Sequence, residues 1–411
     1  MDRAFFDFNA YSGLLLIGVI QGLVYALMLL LRARRQRNAY DAIGSAILLV
    51  TVLYVSQWML GFGGWYDSHD WRTSLMFYIS WDNLLLLGPL IWFYLRTVTN
   101  RRFRFRAAHL WHLAPWAFGV VPLAFAAAYD FSLLFFTDGE VWPYFHGTRG
   151  PARDWLRVDS PVTATLLGSV LYVHLGCYAL ATVRRYRQYR RYLDGHFSSV
   201  EGRSLGGLHK VLLLLLCGIG VTVLIAVLQT VYGTTPYINE WYHHLSLSVV
   251  AFAAGILFYN VSGDRTQVLH FTASEQPADP VSTAEADPAA AAVFAAVEQR
   301  MKRHRDYLDP DLRLAQLAGQ IGERDKALSA AINACAKVNF NDYVNRWRCG
   351  YFIELLETGA HRERTLLALA LDAGFNSKST FNRAFRKCYG CSPGTAISRL
   401  QSGLKVSQKM I

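Results

Sequence analysis

Charge is the thing this sequence has least of. Of 411 residues only 17% are Asp, Glu, Lys or Arg, against about 25% in an average soluble domain. Hydrophobic residues make up 53% and aromatic ones 14%. That balance excludes a single compact, water-facing fold for the whole chain. Acidic charge is the scarcer sign: 30 Asp and Glu face 41 Lys and Arg, a net charge of +11. A low charge density with a basic surplus predicts a membrane part joined to a basic part. Catalytic signatures are missing too. There is no H-E-x-x-H pair, so no catalytic residue is assigned and no enzyme is expected. No cleavable signal peptide is expected, because the first apolar run, Tyr11 to Leu31, is too long for an h-region and no small-residue cleavage site follows it.

What is present is a series of apolar stretches of spanning length. They are Tyr11–Leu31, Ala42–Leu60, Leu75–Leu95, His109–Tyr129, Val162–Val183, Val211–Tyr232 and Leu245–Val261, so residues 1–261 read as a seven-transmembrane-helix bundle. Alternate loops collect the basic residues: Arg32 to Arg37, Arg96 to Arg106, and Arg184 to Lys210. The positive-inside bias then puts the N-terminus outside and the C-terminus in the cytoplasm. The longest external loop, Asp130 to Asp159, holds Trp142, Tyr144 and His146 and is read mainly as part of the aromatic belt. The run Arg184 to Arg191 is expected to extend the fifth helix and to rest on anionic membrane lipid. Gly18-x-x-x-Gly22 offers a close helix contact, either between chains or inside the bundle.

Ionisable residues inside a bilayer are costly and mark function or structural glue. Asp82, Asn83 and His174 are the candidates for sensing a small-molecule or membrane signal, with Asp82 and His174 able to pair across two helices; a purely structural hydrogen bond is the alternative. His109 and His112 fall at one end of their span and His243 and His244 at the opposite end of theirs. Roughly 25–30 Å of membrane lies between those ends, too far to share one ion. No metal and no cofactor are expected. The six cysteines, Cys177, Cys217, Cys335, Cys349, Cys388 and Cys391, lie in spans or in the C-terminal part, so no external disulfide is expected. Cys388-x-x-Cys391 has a metal or redox spacing without a second ligand pair, and reads as core packing.

Residues 262–288 change character to Ser, Thr, Ala, Pro and acidic side chains, the composition of a flexible linker. Such a tether transmits proximity rather than torque. Residues 289–411 resume helical periodicity and carry a basic surplus suited to phosphate. Within them Gly374 marks a turn and Ser377 an N-cap. Phe381, Ala384, Phe385 and Cys388 then share one face, with Lys378, Ser379, Thr380, Asn382, Arg383 and Arg386 left to read bases and hold phosphates.

The string G-F-x-S-x-S-x-F-x-R-x-F from Gly374 to Phe385 resembles the second helix-turn-helix of the AraC/XylS transcription regulators. Leu312 to Ile321 is similar to the start of that family's first helix-turn-helix, Asn339 to Arg348 to its connecting helix, and Ser392-Pro393 to the Ser/Thr-Pro after its second recognition helix. The resemblance implies two recognition helices entering successive major grooves about 34 Å apart. In the first helix-turn-helix it places Arg324, Lys326, Ser329, Ala330 and Lys337 at DNA. Departures gather there: Arg313 and Arg324 stand where the family has Ser or Thr caps, Lys337 where it has a closing Gly, and Phe352-Ile353 where it commonly has Ala-Lys. That makes the first helix-turn-helix a backbone clamp and the second the reader.

The expected protein is all-α: a seven-transmembrane-helix bundle followed by a cytoplasmic AraC-type domain. It is a membrane-embedded one-component regulator of the bacterial inner membrane, binding promoter DNA as a homodimer and open to contact with RNA polymerase. The alternative is a receptor whose degenerate helix-turn-helix domain serves as a protein-interaction module.

Overall fold

The computed structural model describes residues 6–67, 70–100, 103–136, 149–156, 161–199, 207–232, 237–261 and 288–402. Every regular element among them is helical, and an isolated antiparallel bridge joins Phe197 to Arg313. The external-loop residues 142–146 and the linker 262–287 lie outside the described residues. The chain divides into two compact units, residues 1–185 with 207–270, and residues 186–206 with 271–411.

The apolar unit opens with α1 (Ala10–Gln36), capped by Asn9, whose side chain accepts from the amides of Tyr11 and Ser12. Arg37 ends it in the left-handed conformation, φ 50°. α2 (Ala39–Phe62) returns alongside. The two are tied by a bidentate pair, Arg32 Nε to Asp41 Oδ2 at 2.8 Å and Arg32 Nη2 to Asp41 Oδ1 at 3.0 Å. The Gly18–Gly22 stripe is used up inside this unit. A Cβ on Gly18 would lie 1.7 Å from Ser248 Oγ, and one on Gly22 2.4 Å from Val52 Cγ2.

The third expected span is not one helix. α3 (Trp71–Tyr78) stops, a 3₁₀ turn covers Leu84–Leu86, and α4 (Leu87–Thr99) begins. The break falls where short polar side chains compete for backbone partners. Asp82 Oδ1 accepts the Leu84 amide at 3.0 Å, and the Asn83 amide group donates to the Ser80 carbonyl. Asp82 and Asn83 therefore sit in a helix interruption rather than within one continuous span. α5 (Ala114–Phe136) follows a 3₁₀ segment at Ala107–Leu113. Asp130, near its end, accepts from Tyr78 Oη at 2.8 Å and from the amides of Ala152 and Arg153, which start the short α6 (Pro151–Trp155).

α7 (Pro161–His196) has 36 residues and continues through the basic run Arg184–Arg191, as its composition predicts. α8 (Leu208–Tyr232) and α9 (Tyr237–Val261) complete the unit. Five helical segments among the described residues are long and apolar enough to cross a membrane: Ala10–Gln36, Ala39–Phe62, Ala107–Leu133, Leu208–Ile225 and Tyr237–Val261. Leu84–Thr99 is a shorter apolar helix. The expected count of seven is thus not reproduced; the interrupted third stretch is one physical reason.

The basic unit is built on α13 (Phe340–Glu357), capped by Asn339, whose side chain accepts the Asp342 amide. One core joins the first half of α13 to α10 (Pro288–His304), α11 (Leu314–Gln320) and α12 (Asp325–Ala336) through Val297, Met301, Leu317, Leu328, Ile332 and Val344. A second core joins its other half to α14 (Leu366–Asp372), α15 (Lys378–Tyr389) and α16 (Pro393–Gln401) through Phe352, Leu369, Phe381, Phe385 and Ala396. Each core is one helix-turn-helix. The bulky Phe352 and Ile353 fill the second, whereas Leu367 is 41% exposed.

Candidate nucleic-acid interface

Gly374 makes the turn before α15 with φ +89°, and a Cβ there would lie 2.6 Å from the Tyr307 carbonyl oxygen. Only glycine fits both demands. Ser377 then caps α15 by accepting the Thr380 amide at 3.2 Å. Phe381, Ala384, Phe385 and Cys388 are buried along the inner face. On the outer face Lys378, Ser379, Arg383 and Arg386 are exposed and Asn382 is half-buried. Thr380 departs from the expectation: it is 3% exposed, with its hydroxyl against that of Ser377, because it falls on the inner side of the first turn. It holds the cap and is not available to a base.

In the first helix-turn-helix Arg324, Lys326, Ala330 and Lys337 are exposed and Ser329 is half-buried. Arg313 and Arg324 occupy N-cap positions and make no side-chain cap bond. Lys337 closes α12 in the left-handed conformation, φ 54°, which L side chains enter only at a cost. Lys387, beside the reading face, is held by Asp342 at 2.6 Å. Cys388 finds its partner in Cys349 across the second core, where burial pushes the Cys349 thiol up, rather than in Cys391.

Three features of this unit escaped the sequence. Arg348 is completely buried and donates to five oxygens: Tyr307 O at 2.7 Å, Asp309 O at 2.8 Å, Ser198 Oγ at 3.0 Å, Ser198 O at 3.3 Å and Asn345 Oδ1 at 3.5 Å. Asn341 Nδ2 donates to Ser198 O at 2.8 Å, and Asn376 Nδ2, next to the α15 cap, donates to Ser199 Oγ at 3.0 Å. Asp194, at the end of α7, feels the charges of Arg190, Arg383 and Lys387, while burial pushes its carboxyl up. The tail of α7 is thus part of the domain that carries the reading face. Segments 150 residues apart give no local signal of this.

In the apolar unit Asp82 and His174 are not brought together. Asp82 Oδ1 is taken by the Leu84 amide, whereas the His174 ring lies 4.8 Å from Tyr178, which hydrogen-bonds His112. Asn83 is committed to structure: it accepts from Trp116 Nε1 at 2.7 Å. A cavity of about 30 Å³ beside Thr51, Leu84, Gly218 and Thr222 has room for a single water. The grouping that sequence reasoning passed over is Glu240 with His243 and His244, whose ligand atoms lie within 4.8 Å of one another. Their i, i+3, i+4 spacing was the available signal.

Residues 317–399 match the family model described as a helix-turn-helix domain. No curated protein matches the chain, and no solved structure does. The match covers the second core, the larger part of the first and both recognition helices, and with the capped α15, its buried stripe and its basic outer face it makes this part of the chain an AraC-type helix-turn-helix domain of the DNA-binding, transcription-regulator kind.

Proposed function

We propose that the chain is a membrane-embedded one-component transcription regulator of the bacterial inner membrane, with its N-terminus outside and its helix-turn-helix domain in the cytoplasm. The observation that carries the reading is the outer face of α15, where Lys378, Ser379, Asn382, Arg383 and Arg386 project from a helix whose other face is closed over a core. Arg is suited to guanine and Asn to adenine, and Lys and Ser to phosphate. α12, with Arg324, Lys326, Ser329, Ala330 and Lys337, serves as the backbone clamp. Its uncapped ends weaken it, but Leu328 and Ile332 are fully buried, so it remains a folded helix-turn-helix. The five apolar helices and the Arg and Lys bias of alternate loops support the membrane placement. Promoter DNA, bound by a homodimer, and lipid are its partners, with RNA polymerase as the contact for activation.

The membrane part supplies the signal input. Besides the linker, a second route leads to the DNA-binding unit, since α7 is one helix whose last turns, from Tyr186, belong to that unit and are held in it by hydrogen bonds. A change in the membrane end of α7 therefore reaches the neighbourhood of Asn376 and Asp194 without passing through residues 262–287. Genome-wide crosslinking of the intact protein tests the reading. Discrete enriched sites that disappear with Arg383→Ala are expected. An absence of enrichment, or the same enrichment in both proteins, would refute a DNA-reading role.

A further inference from the structure

α9 carries Glu240, His243 and His244 in its first two turns, on one face of the helix. Their ligand atoms lie within 4.8 Å of one another, and His243 Nδ1 is 3.8 Å from Glu240 Oε2. His243 and His244 are 5% and 0% exposed. The His244 Nδ1 is 2.8 Å from the Glu240 carbonyl oxygen. A carbonyl only accepts, so that nitrogen carries the proton and His244 Nε2 presents a bare lone pair. This Nε2 is buried with no hydrogen-bond partner, and so is the Nε2 of His243. Two buried imidazole nitrogens beside a carboxylate, both unmatched, point to a bound group rather than to packing alone.

The surroundings hold the rings in place. Trp58 stacks on His244 with centroids 4.8 Å apart, and Tyr54 lies 4.8 Å from His244 and 6.2 Å from His243. We propose that Glu240, His243 and His244 bind a first-row divalent transition ion, zinc being the best fit. Two neutral imidazoles and one carboxylate are the donor set of zinc and its neighbours, whereas calcium and magnesium take oxygen donors. The proton of His244 Nδ1 on a backbone carbonyl is the outer-shell bond that fixes a metal-binding imidazole in its tautomer. Three protein donors leave a fourth position for water or an exchangeable ligand, which suits reversible occupancy. With the N-terminus outside, as proposed above, the site lies toward the outer ends of the helices and takes its ion from the extracytoplasmic side.

The test uses the full chain in nanodiscs, stripped with a chelator and titrated with Zn²⁺ against a chromophoric competitor, and in parallel with Co²⁺. One ion per chain, four-coordinate Co²⁺ bands, and a rise in melting temperature with Zn²⁺ are expected. Glu240→Gln and His244→Gln each weaken binding tenfold or more and lose the melting shift, while His109→Gln leaves both unchanged. Glu240 is half-buried, so its amide replacement keeps the fold and decides the matter even where His244→Gln does not fold. No saturable uptake by the folded wild type overturns the proposal, as does uptake that Glu240→Gln leaves intact.

Discussion

The Arg348 guanidinium reaches the hydroxyl of Ser198 at 3.0 Å and its carbonyl at 3.3 Å, fastening the connecting helix of the DNA-binding domain to the residues that follow α7. Burial lowers the Arg348 pKa only to about 10, so the group stays charged at neutral pH. A buried cation of this kind is stable because every edge of its fork meets an oxygen.

Arg348→Met removes that fork and strands the carbonyls of Tyr307, Asp309 and Ser198. Each buried acceptor left unmade costs about 1–3 kcal/mol, so a loss of roughly 3–5 kcal/mol in the stability of this unit is expected. Arg348→Lys recovers only part of it, because a point charge cannot span the same oxygens. Thermal melts followed by proteolysis of the helix-turn-helix region measure both. A change under about 1 kcal/mol, the range of a surface substitution, would contradict the account.

Reader and clamp separate by substitution. Arg383→Ala is expected to cost about 1–3 kcal/mol at one base pair and to relax discrimination there. Lys337→Ala weakens all sequences alike and flattens the salt slope. Lys337→Gly does the same to binding but stabilises the fold by about 1 kcal/mol, since glycine enters the left-handed conformation freely. Identical behaviour of Arg383→Ala and Lys337→Ala in a binding titration over several salt concentrations would end the distinction.

Asp194 sets a pH dependence. Burial raises its carboxyl above the ordinary range, so the docked tail of α7 holds its proton to a higher pH than the undocked one. The docked state is therefore favoured below the raised value and loses ground as pH rises through it. Asp194→Asn removes this dependence. It also strips a negative charge from the vicinity of Arg383 and Lys387 and tightens DNA binding a few-fold. DNA binding at a series of pH values, for both proteins, provides the measurement; an unaltered pH profile in Asp194→Asn would assign the dependence elsewhere.

Topology is read with reporters. One that is active only in the cytoplasm is expected to be on after Ser262 and off near His146, as the Arg and Lys asymmetry demands. The reverse pattern would invert the proposed orientation.

What the sequence disclosed follows from range. The turn at Gly374, the cap at Ser377 and the buried stripe from Phe381 to Cys388 are fixed by neighbours a few residues away, and periodicity reveals them. The first helix-turn-helix was equally legible, down to the missing caps at Arg313 and Arg324 and the uncomfortable backbone at Lys337. The break at Ile79–Asn83 was hidden because apolar content measures length but not where Ser80, Asp82 and Asn83 draw hydrogen bonds away from the helix. Arg348 and Ser198 were hidden by distance along the chain. Glu240 was overlooked because the histidines were compared across the membrane instead of with the acid one turn before them.

The placement of Phe197, Ser198 and Ser199 in the basic unit changes what a protease could release. A cut within residues 262–287 severs the last covalent strand leading to α10, yet the fragment it creates still grips the tail of α7 through Arg348, Asn341 and Asn376. With the membrane placement proposed above, such a fragment is expected to stay at the membrane after cleavage and to depart only when those bonds give way. On that placement cleavage and release are separate events, and the second is set by a few hydrogen bonds to Phe197, Ser198 and Ser199.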